Sequence, residues 1–279
     1  MKARTHPVFK LAPPAGTIAL STGSAPTPYF VYDGHGTLVI GTCEADALTE
    51  AFAGQSVHPV LTASGQGVLV MFICSFTDAS HGPHLEFHVT ALAAPAAGVS
   101  LSDDPAEALT ALALRPDWGV FSLHLWNDTP EVVAYNREYL GLNAALCGGE
   151  VSVSSSKVTF AFETPDGGLL AKGSLQSGKS STPALAWRVM RHLGVRGMWQ
   201  AMRRQPARAH VINPIGAAIP RNGRALTLTA PDKMVMRAFD KTRDSFDGAA
   251  PHLAAYGFAP QIIEHVWPFR FVYVHPDDV

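Results

Sequence analysis

Charge is scarce in this chain. Only 16% of its 279 residues are Asp, Glu, Lys or Arg, while 47% are hydrophobic. That balance excludes intrinsic disorder, which needs the opposite composition, and a chain of this length can bury a full core. The 21 basic residues are offset by 23 acidic ones, a formal charge of −2. A broad cationic surface is therefore lacking, and no nucleic-acid partner is expected. Cysteine is nearly absent. Cys43, Cys74 and Cys147 lie far apart and form no CxxC pair, which excludes a disulfide or zinc framework and points to a reducing, cytoplasmic setting. Long hydrophobic runs are missing too. The best, Val68 to Phe76, has nine residues, against about 20 for a spanning helix, so it reads as a buried strand and no transmembrane segment is expected. Leu11 to Gly16 carries two prolines where a secretory leader would need an apolar stretch, so no leader is expected.

Acidic residues are also absent over one long stretch. From Gly167 to Pro231 there is no Asp or Glu but ten Lys or Arg, whereas the first 150 residues hold fourteen acids. Either the two surfaces pair within the fold or between subunits, or the basic segment 181–208, read as helical, meets an anion or a membrane surface.

What is present is frequent punctuation, 24 Gly and 21 Pro spread throughout, between short segments rich in Val, Ile, Leu and Phe. Strands are expected at Thr37 to Ile40, Val68 to Phe76, Leu85 to Leu92, Trp118 to Trp126 and Val158 to Phe162. Further strands are expected at Ala209 to Ile212, Ala225 to Thr229, Gln261 to Val266 and Phe269 to Val274. Thr164-Pro165-Asp166-Gly167-Gly168 marks a hairpin. Helices are expected over Glu44 to Phe52, with Thr42 as its cap, over Thr129 to Leu140, and over Pro183 to Gln205, interrupted by Gly194 and Gly197. Strands outnumber helices and do not alternate with them, which predicts an α+β, mainly β chain built as an antiparallel barrel with flanking helices.

Two motifs carry candidate chemistry. Gly173 to Ser180 satisfies GxxxxGK[ST], the phosphate-cradling pattern, with Lys179 as its lysine. It follows a hairpin arm instead of a buried parallel strand, and no apolar run ending in Asp comes after it, so a flexible Gly/Ser connection is the expectation. In His84-Leu85-Glu86-Phe87-His88, positions 84, 86 and 88 share one strand face. Two imidazoles and a carboxylate suit a metal, although same-face neighbours about 7 Å apart need a bulge to close on one ion. No GxSxG elbow is present, so a hydrolase triad is not supported.

Several segments together resemble the acetoacetate decarboxylase-like family. They are Pro28-Tyr29-Phe30 leading into Leu38-Val39-Ile40, then Glu44 to Leu48, then Phe76-Thr77-Asp78-Ala79-Ser80-His81-Gly82-Pro83-His84-Leu85-Glu86, and Asn136-Arg137-Glu138-Tyr139-Leu140-Gly141-Leu142. The agreement spans residues 28 to 175. The resemblance implies one domain over residues 1–279, a cone-like antiparallel β-barrel, homo-oligomeric assembly, no cofactor, and an interior pocket for a small organic acid or ketone. It implies Glu86 as proton donor or acceptor with His84 as its partner, and Arg137 with Glu138 as substrate-binding residues. The family's decarboxylases form a Schiff base on a lysine whose pKa is lowered by its surroundings. Where they carry Pro-Lys-Lys, this chain has Asn143-Ala144-Ala145, and where they place an arginine after Pro-Tyr it has Gly34. The expectation is therefore a barrel that binds such a ligand without lysine chemistry, with Lys157 as the alternative amine. The other readings are a non-catalytic binder and a metal-dependent enzyme using His84, Glu86 and His88.

Overall fold

The computed structural model describes residues 3–178, 181–203, 207–214 and 223–275. Two short 3₁₀ turns, Ala3–Thr5 and Pro7–Lys10, lead into a hairpin of β1 (Gly16–Leu20) and β2 (Gly23–Thr27), and the chain then runs into β3 (Tyr29–Cys43), a strand of 15 residues. Helix α1 (Ala45–Ala51), the short strands β4 (His58–Pro59) and β5 (Leu61–Thr62), and the long pair β6 (Gly67–Ala79) and β7 (His84–Ala94) follow. Next come β8 (Ser100–Leu101), α2 (Pro105–Leu114), β9 (Gly119–Asn127), α3 (Pro130–Ala134) and one π-helical turn, Tyr135–Tyr139. The middle of the chain holds β10 (Ala144–Leu146), β11 (Gly148–Val153), β12 (Lys157–Glu163), β13 (Leu169–Gln176) and α4 (Pro183–Arg203). The last part holds β14 (Ala207–Ile212), β15 (Arg224–Thr229), β16 (Lys233–Ala238), β17 (Ser245–Asp247), α5 (Pro251–Ala254), β18 (Ala259–Trp267) and β19 (Phe271–Val274).

The length of β3 organises the sheet. Its start pairs with β19 and its end with β18, while its other edge pairs along β6. The pairings β3–β6–β7–β9–β14–β15–β19–β3 therefore form a closed circuit. Close approach along β3 requires glycine: a Cβ on Gly41 would lie 2.1 Å from the Ala259 carbonyl oxygen, far inside contact distance.

The sheet is mixed, which corrects the antiparallel expectation. Strand β9 runs parallel to β10 and to β14, and β5 runs parallel to β8. Parallel neighbours need a crossover. Between β9 and β14 the chain makes one through β11, β12 and β13 of a second, smaller sheet, which β17 later completes, and through α4. That small sheet contains the expected hairpin, β12 and β13 joined across Asp166-Gly167.

Helix boundaries follow capping chemistry. Thr42 belongs to β3 and does not cap α1, whose N-cap is Glu44 with no side-chain bond. The expected helix at 129–140 is α3 continued by the π turn. Helix α4 is interrupted at Gly194 (φ 60°, ψ 175°), a backbone conformation open to glycine, and not at Gly197. Helix α2 has no counterpart among the expected elements. Its Ala-rich stretch lacks a strong apolar stripe, and its start is marked by Asp104, which accepts the Ala106 N–H at 2.9 Å ahead of Pro105. Asp104 also receives Arg188, Arg191 at 3.3 Å and His192 at 3.0 Å, which docks α4 on α2. Burial opposes ionisation of Asp104, but hydrogen bonds from Arg188 and His192 outweigh it and hold the carboxyl below its usual range. Part of the acid-free basic segment thus pairs within the fold. Its residues 179–180, 204–206 and 215–222 lie outside the described residues.

Two main apolar layers result, beside a smaller cluster that includes Val8, Phe9, Phe30 and Val272. One, on the face of the circuit that carries Tyr29, Ile40, Val70, Cys74, Phe76, Leu125 and Phe271, is covered in part by α2 and α4. The other, with Met71, Phe87, Val89, Trp126, Phe160 and Phe162, lies between the large and small sheets. Among the described residues no helix is long and apolar enough to cross a membrane.

Candidate active site

Strand alternation sorts the side chains of β6 and β7 onto these two layers. Phe76 pairs with His84, Cys74 with Glu86, and Phe72 with His88, so all six share the face of the first layer. His84, Glu86 and His88 are each at least 96% buried. The structure thereby brings the two expected site residues, and His88, onto one interior surface.

Glu86 is the unusual group. Its described hydrogen bond comes from Asn127 Nδ2, at 3.3 Å from Oε2. Asn127 is directly opposite on β9, and Asn136 from the π turn donates to its Oδ1 at 3.0 Å. Because Oδ1 is taken, the amide must turn its N–H toward the carboxyl. Burial pushes Glu86 up to about 7, and the Asn127 hydrogen bond offsets only part of this. Tyr29 and Tyr273, stacked with ring centroids 5.9 Å apart, have their phenols raised by burial and by the Glu86 charge, and Cys74 is raised for the same two reasons. The carboxyl therefore sits among weakly acidic hydroxyl and thiol groups that stay protonated.

His84 is not hydrogen-bonded to Glu86, contrary to the expected partnership. Its Nδ1 donates to the Gly82 carbonyl at 2.9 Å, which leaves Nε2 to accept from the Tyr29 hydroxyl at 2.5 Å. Burial lowers its pKa, so the ring is neutral. His88 points to Ser122 Oγ at 2.8 Å and is pushed down to about 3 by burial. With those nitrogens engaged, the metal reading finds no geometry: among the described residues no three His, Cys, Asp or Glu groups could hold an ion. A second carboxylate, Glu264 on β18, shares the first-layer face through Leu38 and Phe72. It is pushed up to about 7 by burial alone.

The remaining expected residues lie elsewhere. Arg137 and Glu138 occupy the exposed side of the π turn, whose buried side is Tyr135 and Asn136. Glu138 accepts the Ser21 N–H at 2.8 Å and the Ser21 hydroxyl, which ties the turn to the first hairpin. Lys157 is exposed at the start of β12 in the small sheet. All five lysines with described side chains, Lys10, Lys157, Lys172, Lys233 and Lys241, are exposed. Ala144 is fully buried in the first layer, opposite Leu125, whereas Ala145 faces out. Gly34 is sealed. A Cβ there would stand 2.8 Å from the Phe76 ring and 2.8 Å from the Ser75 carbonyl oxygen. Of the phosphate-like motif, Gly173 to Gln176 are residues of the antiparallel strand β13, and Lys179 and Ser180 lie outside the described residues.

Asn127, Tyr273 and Glu264 escaped the sequence reading, although Tyr29 and Asn136 stood in the segments that carried the resemblance. A lone Asn at a strand end has no local signature. Only pairing with β7 aims it at a carboxyl.

No protein-family model matches the chain, and no curated protein matches it in sequence. Solved structures do match its fold. Acetoacetate decarboxylase from Legionella pneumophila superimposes with a TM-score of 0.55 at 11% identity, covering 89% of this chain and 85% of that one. A second acetoacetate decarboxylase structure gives 0.51 at 10% identity, covering 89% of each chain. The enduracididine biosynthesis enzyme MppR gives 0.50 at 13% identity, covering 95% of this chain and 97% of that one. At such identities the likeness is one of architecture: this chain has the acetoacetate decarboxylase-like fold.

Proposed function

We propose that the closed circuit of strands is a barrel whose interior binds a small organic acid or ketone, with Glu86 as the group that gives or takes a proton. One observation carries this reading: a buried carboxyl, poised near neutrality and held by a single fixed amide, on the surface that also presents Tyr29 and Cys74. A carboxyl in that state can donate a hydrogen bond to a ketone oxygen in its acid form and accept a proton from the adjacent carbon in its basic form. Lysine imine chemistry has no support. The sequence resemblance sets Ala144 and Ala145 against the family's lysine pair, Ala144 is buried, and the described lysines are all exposed. Without an iminium to receive the electron pair of a breaking C–C bond, the site is suited to binding or proton transfer and poorly suited to decarboxylation. The homo-oligomer implied by the fold resemblance is part of this proposal.

One protein of the same fold was solved with pyruvate bound, which selects the probes. Calorimetric titration with pyruvate and with acetoacetate should show saturable binding of at least one, weakened in Glu86→Gln. Failure of both to bind sinks the reading.

A further inference from the structure

A cleft of about 380 Å³ opens beside Asp33, His35, Ser75, Thr77 and Trp267, with Val151 of the small sheet on its flank. It lies on the opposite side of β3 and β6 from Glu86. Gly36 pairs with Cys74, which faces the first layer, so the adjoining pair His35 and Ser75 projects outward together. The volume is in the range of small-molecule sites.

The lining is built. His35 stacks on Trp267 with ring centroids 6.0 Å apart and planes 20° from parallel. Its tautomer follows from a chain of hydrogen bonds. The Gln176 backbone carbonyl can only accept, so His265 Nε2 donates to it at 3.0 Å. Burial lowers the His265 pKa and keeps that ring neutral, so its Nδ1 accepts from the Thr37 hydroxyl at 3.0 Å. Thr37 has spent its hydrogen, and His35 Nε2 must therefore donate to Thr37 Oγ1 at 3.3 Å. Burial pushes His35 down to about 4, which leaves Nδ1 with its lone pair. Asp33 accepts the Gly34 N–H on one oxygen at 2.9 Å and has no described partner on the other.

Charge narrows the ligand. Among the described residues Asp33 is the one charged group in the lining, and the Lys233 ammonium lies 5.9 Å from the centre of the Trp267 ring, so charges of both signs flank the cleft and neither an organic acid nor an organic cation finds a field of one sign. What remains is a neutral molecule with several hydroxyl donors and one apolar face. We infer that this cleft is a second binding site, for a hydroxylated ring such as a sugar, seated against Trp267 and donating hydrogen bonds to Asp33 and His35. The site is independent of the interior reading.

Methyl β-glucoside, methyl β-galactoside and methyl α-mannoside are the neutral probes, with acetate and tetramethylammonium as charged ones. Binding to the intact protein is followed by saturation-transfer NMR and tryptophan fluorescence. At least one glycoside should bind saturably. Asp33→Asn should weaken it by about tenfold, the loss expected when a charged acceptor is replaced, and Trp267→Ala should abolish it. Glu86→Gln should leave it unchanged, so the two sites fail or succeed separately. Circular dichroism establishes that each variant folds, and Asp33→Asn carries the test if Trp267→Ala does not. No saturable glycoside binding, binding indifferent to Asp33→Asn, or tighter binding of acetate or tetramethylammonium would overturn the assignment.

Discussion

Asn136 donates to Asn127 at 3.0 Å, and by doing so determines which end of the Asn127 amide faces Glu86. The carboxyl is thus positioned by a side chain from a different element, and that element is a single π-helical turn. Asn136→Ala should free the Asn127 amide to flip. It also strands a buried acceptor, at a cost of about 1–3 kcal/mol. The expected result is a lower melting temperature together with a displaced Glu86 titration, read by NMR of the carboxyl carbon. An unchanged titration in the folded variant would remove Asn136 from the site.

Glu86 makes stability fall as pH rises. Its folded pKa, about 7, lies above the ordinary value of 4.5, so the native state holds the proton more tightly than the unfolded chain. The stabilising contribution of the acid form is complete below 4.5 and is lost as pH climbs through 7. At about 1.36 kcal/mol per pKa unit, the effect is on the order of 3 kcal/mol. Glu86→Gln should therefore gain melting temperature relative to the native protein at pH 8 and lose that advantage at pH 4. Glu264→Gln should behave alike, because burial raises that carboxyl to about 7 as well.

Borohydride treatment in the presence of acetoacetate should leave the mass of the native protein unchanged, since the described lysines are all exposed. Ala144→Lys would place an amine in the first apolar layer, where desolvation lowers its pKa. That variant should be less stable by several kcal/mol and should acquire a borohydride-trapped adduct. An adduct on the native chain would restore imine chemistry to the protein.

Asp104 joins two helices, capping α2 and receiving Arg188, Arg191 and His192 from α4. Its pKa is depressed in the fold, so its contribution is present above the ordinary aspartate pKa and is lost as pH falls through the lowered one. Asp104→Ala removes both the cap and the ion pairs, and should cost about 2–4 kcal/mol at neutral pH. The difference from the native protein should shrink under acid, as followed by thermal unfolding.

Strand positions were legible because a half-buried strand declares itself by β-branched and aromatic residues between turn formers. Val68 to Phe76 and Leu85 to Leu92 lie within β6 and β7. Helix α2 was not legible, because alanine leaves no apolar stripe to detect. The parallel pairing of β14 with β9 was not legible either, since strand direction depends on a crossover of some 80 residues whose path local pattern does not contain.

The sequence by itself determined that the chain is mainly β and that His84, Glu86 and His88 share a strand face. Those are properties of neighbouring residues, and period-two geometry or simple identity settles them. Only the tertiary structure decided that this face turns inward, that His84 belongs to Tyr29 and Glu86 to Asn127, and that Arg137 remains outside. Burial and hydrogen-bond partnership are made by residues distant in the chain: Tyr29 and His84 are 55 positions apart, Glu86 and Asn127 41. Desolvation, which moves the Glu86 carboxyl toward neutrality, exists only once residues distant in the chain have buried it.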